Sequence, residues 1–399
     1  MLVPTDHVGA RIAYWRKRRS GMSQATLAGL AGVSQSFISY VESGRKSIER
    51  RATIVAIASA LQVSVADLLG EPGDPTDPLK EGAAAAVPAI WAAITEIEEG
   101  DRRAPRRNAE EFDALLQQVY ELRVVSGYGR SAPLLPGLLL DAAGYGGLPL
   151  VRAGLETSVC LRNLGYRDLS LPPARIAVAA ARELDDAAWL GAAELVHTLA
   201  MPIEAPGASS RIAGRALADL QQGAAQVSVR QMLGQLHLSA SMVCAVDGRS
   251  DDAAAHLAAA QDEARSLGDP ADGYGFQQFA FGPTNVNLWQ LAVDIELGNY
   301  GRVVERAKRT NPGPLRPANR HQSYWLSYGR ALAHSGQTDH EALAAFMHAE
   351  RAAPLTFVLN PMVRDAVVTM VYRARRRAVS GQLRVLARRL GVEVDDRQS

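Results

Sequence analysis

From Ala109 onward, helix-starting positions recur near residues 109, 149, 186, 227, 283, 320 and 361, at intervals of 40, 37, 41, 56, 37 and 41 residues. Each interval holds two helices and a turn, and almost no period-two alternation that would signal strands interrupts them. A helix pair of this size cannot bury its apolar face alone. Units recurring every ~35 to 45 residues therefore stack on their neighbours into a helical-hairpin solenoid, and the fold class implied is all-α.

Single hairpins can be read directly. Gln226 to Asp247 and Asp251 to Leu267 form one, broken by DGRS, with Ala240, Ala245, Ala255 and Ala259 allowing close helix approach. Pro283 to Leu297 and Tyr300 to Arg309 form the next around Gly298-Asn299, and His321 to Ser335 with His340 to Arg351 form a third around SGQTD. These pairs resemble tetratricopeptide-like repeats, with a period that wanders. The longest interval carries an insertion rich in glycine and aromatics, LGDPADGYGFQQFAFGPTN.

The N-terminal part differs in charge. Residues 1 to 70 hold nine Lys/Arg against four Asp/Glu, a net of +5, and leave 34 basic and 38 acidic residues for the rest, a net of −4. A basic head on a slightly acidic body suggests that the head alone meets a polyanion. The proline-rich EPGDPTDPLKEG after Leu69-Gly70 cannot continue a helix, and GDRRAPRRN makes a second polar break. The expected organisation is a head at 1–70, a linker with a short helix (about 83 to 99) at 71–108, and the repeat domain at 109–399.

The head parses into five short helices. Val8, Ile12 and Trp15 share one face of the first; Ser23 and Ser34 are good N-caps for the second and third; Gly32 suits the left-handed exit between them. The fourth runs from about Glu49 to Leu61, and Ser64 caps the fifth. Leu27, Ala28, Leu30, Val33, Ile38 and Val41 are expected inside. That leaves Gln35, Ser36, Ser39 and Tyr40 on the outer edge of the third helix, an edge that suits the DNA major groove. A glutamine amide can pair bidentately with adenine, and serine can bond several base edges. Gln24, at the start of the second helix, sits where a helix N-terminus meets a phosphate, and its side chain can buttress the first recognition residue at the start of the third; the capping Ser34 is a further candidate DNA contact, and Arg45 and Lys46 leave the third helix toward the DNA backbone.

The run MSQATLAGLAGVSQSFISYVESGRK resembles the Xre/Cro/C1 helix-turn-helix family, with Gln24, Ala28, Gly32, Ser34-Gln35-Ser36 and Ile38 at the family's spacings. Tyr40 stands where that family often has a basic residue. The resemblance implies a five-helix, lambda-repressor-like domain that reads double-stranded DNA, usually as a dimer on paired half-sites. As a whole the chain resembles tetratricopeptide-containing Xre-type regulators, including the peptide-responsive quorum-sensing regulators of Gram-positive bacteria, and its Ala/Arg-rich style resembles actinobacterial proteins. That implies a homodimer responding to a peptide or small-molecule effector. A protein-interaction scaffold, localised to DNA by its head, is the alternative reading.

Other classes find little support. No apolar run approaches the ~18 residues of a membrane span, and no signal-peptide pattern opens the chain, so a cytoplasmic location without membrane contact is expected. Cys160 and Cys244, 84 positions apart in apolar helical patterns, read as core residues. The eight histidines show no metal spacing, and no G-x-S-x-G, P-loop or Rossmann glycine pattern occurs; no metal, cofactor or enzymatic activity is expected. If the repeats bind an effector, Asn285 and Asn287 are candidates to hydrogen-bond a peptide backbone, and Trp289, Tyr324 and Tyr328 to supply apolar walls. The basic C-terminal RARRRAVSGQLRVLARRLGV reads as a capping helix.

Overall fold

A computed structural model of the chain describes residues 7–19, 21–70, 78–374 and 380–392, and every regular element among them is a helix. The chain forms two compact units. One comprises residues 1–73, 291–309 and 322–399, and the other residues 74–290 and 310–321.

In the first unit the head folds as α1 (Val8–Arg18), α2 (Gln24–Ala31), α3 (Gln35–Glu42), α4 (Arg51–Leu61) and α5 (Val65–Leu69). Caps set these boundaries. The Ser23 hydroxyl accepts from Thr26 N at 3.0 Å, Ser34 accepts from Phe37 N at 3.2 Å, and Ser64 forms a reciprocal capping box with Asp67. Gly32, at φ +66°, makes the left-handed turn between α2 and α3. Ile12, Leu27, Ile38, Ile54, Ile57, Leu61 and Leu68 are buried, each such side chain contributing roughly 1.5–3 kcal/mol by leaving water. Leu30 departs from expectation, being 62% exposed. The buried stripe of α2 is Leu27, Ala28 and Ala31, and Leu30 lies off it toward solvent.

The second unit opens with α6 (Pro78–Glu98), which begins inside the expected linker, because Pro78 occupies the first helical position where no backbone N–H is needed. Residues 71–77 of that linker lie outside the described residues. Asn108 caps α7 (Ala109–Val124) in a capping box with Glu111, followed by α8 (Tyr128–Ser131) and α9 (Leu135–Tyr145). Three hairpins follow: α10 (Gly147–Asn163) with α11 (Arg167–Arg182), α12 (Ala187–Ala200) with α13 (Pro206–Leu220), and α14 (Val227–Val246) with α15 (Ser250–Leu267). Leu155, Ala192, Leu195, Val196, Leu220, Met232 and Leu236 form one continuous core through successive hairpins, as stacking requires.

After α16 (Pro283–Glu296) come α17 (Tyr300–Arg309), α18 (Ala318–Ala333), α19 (Asp339–Ala352), α20 (Pro354–Val358), α21 (Pro361–Ala374) and α22 (Gly381–Arg389). In the first unit, Phe346, Phe357, Val363, Val367, Met370 and Leu386 pack the last of these into one core. The first helices of the hairpins start at 147, 187, 227, 283, 318 and 361, close to the recurrence read from the sequence. Of the basic C-terminal run, Arg375, Arg376 and Arg377 lie outside the described residues.

Candidate nucleic-acid interface

Helix α3 divides its residues between two faces. Ile38 and Val41 are buried, whereas Gln35, Ser36 and Tyr40 are exposed and Ser39 is half-buried beside them. At 3.6 residues per turn, positions 35, 36, 39 and 40 form a single stripe, so the four candidate groove-facing residues are brought together. Ser34 is turned back as the cap, its hydroxyl 3.0 Å from that of Ser36, so it orders the start of the stripe.

The stripe is held by an ionic knot at the far end of α3. Arg16 of α1 grips Glu42 side-on, with Nε 2.6 Å from Oε1 and Nη2 2.8 Å from Oε2, while its Nη1 donates to Met22 O at 2.6 Å. Gln24 adds a bond from its amide nitrogen to Glu42 Oε2 at 2.8 Å. Both charged side chains are largely buried, and the hydrogen bond to Glu42 raises the Arg16 pKa above its ordinary value. One carboxylate thus ties α1, α2 and α3 together. The knot also places Gln24 where its amide supports the end of α3 rather than its start.

Beyond α3 the chain turns at Gly44 and enters a clamp made by later helices of the same unit. Ile48 N donates to Asp365 Oδ2 of α21 at 2.9 Å; Arg330 Nε of α18 lies 3.0 Å from Glu49 Oε2, and its Nη2 bonds Glu49 O. Arg51 N donates to Glu296 Oε2 at 2.7 Å, its guanidinium pairs with the same carboxylate at 3.1 Å, and Arg50 Nε reaches Glu296 O at 2.7 Å. Burial pushes the Asp365 carboxyl up to about 7, against the backbone N–H groups of Ile48 and Val8 that favour its ionised form. Nothing in the local sequence around residue 48 announces this clamp; the polar Asp365 inside the apolar pattern of α21 was the one available signal.

The clamp changes the setting of the two candidate backbone contacts. Arg45 Nε donates to Tyr372 Oη of α21 at 2.8 Å, and Lys46 Nζ sits 5.2 Å over the Phe37 ring. Arg45 remains exposed and Lys46 half-buried. The α1 end adds Lys17 and Arg18, both exposed, to the basic character of the head.

The candidate effector residues fall in both units. In the second, Asn285 is fully buried and donates from Nδ2 to Phe279 O at 3.1 Å; Asn287 lines a cleft of about 260 Å³ with Gln261, Arg265 and Pro283; Trp289 packs against Leu238, Leu257 and Phe281. In the first, Tyr324 donates to Ala307 O at 2.8 Å and Tyr328 packs on the Phe346 core. The sequence reading overlooked the polar residues that join Asn285 on the same buried segment: Gln235 and Arg320 also donate to Phe279 O, and Arg123 donates to Gln277 O. Among the described residues no group of three or more His, Cys, Asp or Glu is placed to hold a metal, and no helix is long and apolar enough to cross a membrane.

Residues 7–69 match the model of a helix-turn-helix domain family. The chain is similar to the crystal structure of Bacillus thuringiensis PlcR in complex with the peptide PapR7 and DNA, at 11% identity and a TM-score of 0.36, covering 94% of this chain and all of that one. No curated protein matches the chain.

Proposed function

We propose that this protein is a sequence-specific DNA-binding transcription regulator. The observation that carries the reading is the exposed stripe Gln35, Ser36, Ser39 and Tyr40 on a helix whose opposite face is sealed into the head, within a domain matched by the helix-turn-helix family. A stripe of that size fits the major groove, with Gln35 suited to adenine. The hairpin array pairs two copies of the chain and senses an effector that changes the spacing of their heads, in the cytoplasm where DNA is met.

The full chain is titrated with a pool of random duplexes, read by fluorescence anisotropy at several salt concentrations. Phosphate neutralisation gives a steep fall of log affinity with log salt, and Gln35→Ala flattens the preference among selected sites, losing about 1–3 kcal/mol of discrimination at one base pair. Failure of the full chain to bind any duplex at low ionic strength overturns the proposal.

A further inference from the structure

Helices α14 and α15 run antiparallel in a regular register, and two histidines face each other across it. Arg230 Nη2 pairs with Glu263 Oε2 at 2.8 Å, and Ser241 Oγ donates to Ala253 O at 2.8 Å. His237 and His256 lie between these two crossings, each seven residues from the first on its own helix. Their Nδ1 atoms are 3.0 Å apart, with the ring centroids at 5.2 Å. Leu238, Leu257 and Ala260 are buried beside them, so the separation of the two helices under the pair is set by close packing and not by the rings.

Two neutral imidazoles so placed can share one hydrogen bond, with a proton on Nδ1 of one ring and a bare Nδ1 on the other. Moving that proton to Nε2 of its own ring frees a second lone pair without changing the net charge. Burial lowers the pKa of both rings, that of His237 to about 4, so both are neutral at pH 7 and no proton has to leave before a metal binds. The carboxylates of Glu263 and Asp252 bring negative charge toward His237 and His256 respectively. Each is paired with an arginine, Glu263 with Arg230 and Asp252 with Arg249, both at 2.8 Å, and those pairs leave the two imidazoles as the ligands.

Distance selects among metals. An imidazole nitrogen binds at about 2.0–2.1 Å, and two such bonds spanning 3.0 Å enclose an angle of about 95°. A tetrahedral ion needs about 3.3 Å between the same two nitrogens, whereas tetragonal Cu²⁺ and Ni²⁺ take neighbouring ligands at right angles. Each lone pair must turn by roughly 40° from the line joining the nitrogens, a rotation that the broad χ2 torsion of histidine allows. Both side chains are half-buried, so water can complete the coordination.

We propose that His237 and His256 bind one divalent transition-metal ion with right-angled ligand geometry, Cu²⁺ ahead of Ni²⁺ and Zn²⁺, and that the ion fastens α14 to α15. The site stands apart from the reading of the head as a DNA-binding domain, since both ligands lie in the second unit.

The full chain is titrated with CuCl₂ in a non-coordinating buffer at pH 7, followed by calorimetry and by electron paramagnetic resonance. The wild type should take up one tight equivalent whose spectrum shows two imidazole nitrogens, and its Tm should rise; NiCl₂ and ZnCl₂ should bind more weakly and MgCl₂ not at all. His237→Asn and His256→Asn should each weaken that equivalent by about tenfold or more and cancel the rise in Tm, a direct ligand being worth at least as much as a residue that only orients one. Uptake of Cu²⁺ by either variant equal to that of the wild type overturns the proposal, as does tighter binding of Zn²⁺ than of Cu²⁺. Should the variants not fold, acylation of the wild type by diethyl pyrocarbonate decides. One equivalent of Cu²⁺ should slow modification of His237 and His256 about tenfold relative to the exposed His340, read by peptide mass spectrometry. Equal slowing of all three, or none, overturns it.

Discussion

Asp365→Asn isolates the clamp between the head and α21. Asp365 is 4% exposed, accepts from Ile48 N and Val8 N, and has the carboxylate of Glu49 nearby; burial, the largest influence, lifts its pKa from the ordinary 3.8 to about 7. Between those values the folded chain keeps a proton that the unfolded chain has lost, so stability falls as pH rises from about 4 and levels off above about 7. At about 1.36 kcal/mol per pH unit, the full gap amounts to on the order of 4 kcal/mol, of which on the order of 3 kcal/mol lies between pH 5 and pH 7. Asparagine keeps an acceptor oxygen for the Ile48 N–H and never ionises. Urea unfolding of both proteins, followed by tryptophan fluorescence across pH 4 to about 8, gives the difference directly, since every other group titrates alike in the two. The stability of the Asn variant relative to wild type should climb through that window and then plateau. A difference that stays flat with pH would refute the argument that Asp365 is held protonated in the clamp.

Glu42→Gln should loosen α1, α2 and α3 together, costing about 3 kcal/mol because the Arg16 guanidinium is left largely buried without its carboxylate; faster amide exchange in all three helices of the full chain is the readout, and loss confined to α3 would contradict the shared role. Cys160, pushed up to about 12 by burial and bonded to Ser131 at 3.4 Å, should resist thiol-reactive reagents at pH 8 until the chain unfolds; stoichiometric labelling of the folded protein, located by mass spectrometry, would show that the helix α10 site opens.

The readable parts of this protein were those whose physics is short-ranged. A serine cap acts on an amide three residues away, and Gly32 sets its own φ, so α2 and α3 of the head lie where the residues put them, with α2 bounded at Gln24 and Ala31. Leu30 marks the edge of that legibility: hydrophobicity alone placed it inside, and the phase of a two-turn helix placed it outside. The recurrence of helix starts survived because each hairpin packs chiefly on its neighbours, so local period and global architecture coincide.

The amino-acid order by itself determined an all-helical chain with a helix-turn-helix head and a hairpin array, and it put Gln35, Ser36, Ser39 and Tyr40 on one edge of one helix. Tertiary structure alone decided that Asp365 would meet Ile48 across 317 positions, that Arg45 would rest on Tyr372 across 327, and that Gln235, Asn285 and Arg320 would converge on the Phe279 carbonyl. The reason is physical: caps and helical phase depend on neighbours within a turn or two, whereas a buried carboxyl or an isolated guanidinium takes its energy from whatever the folded chain brings to it, and no local pattern encodes that company.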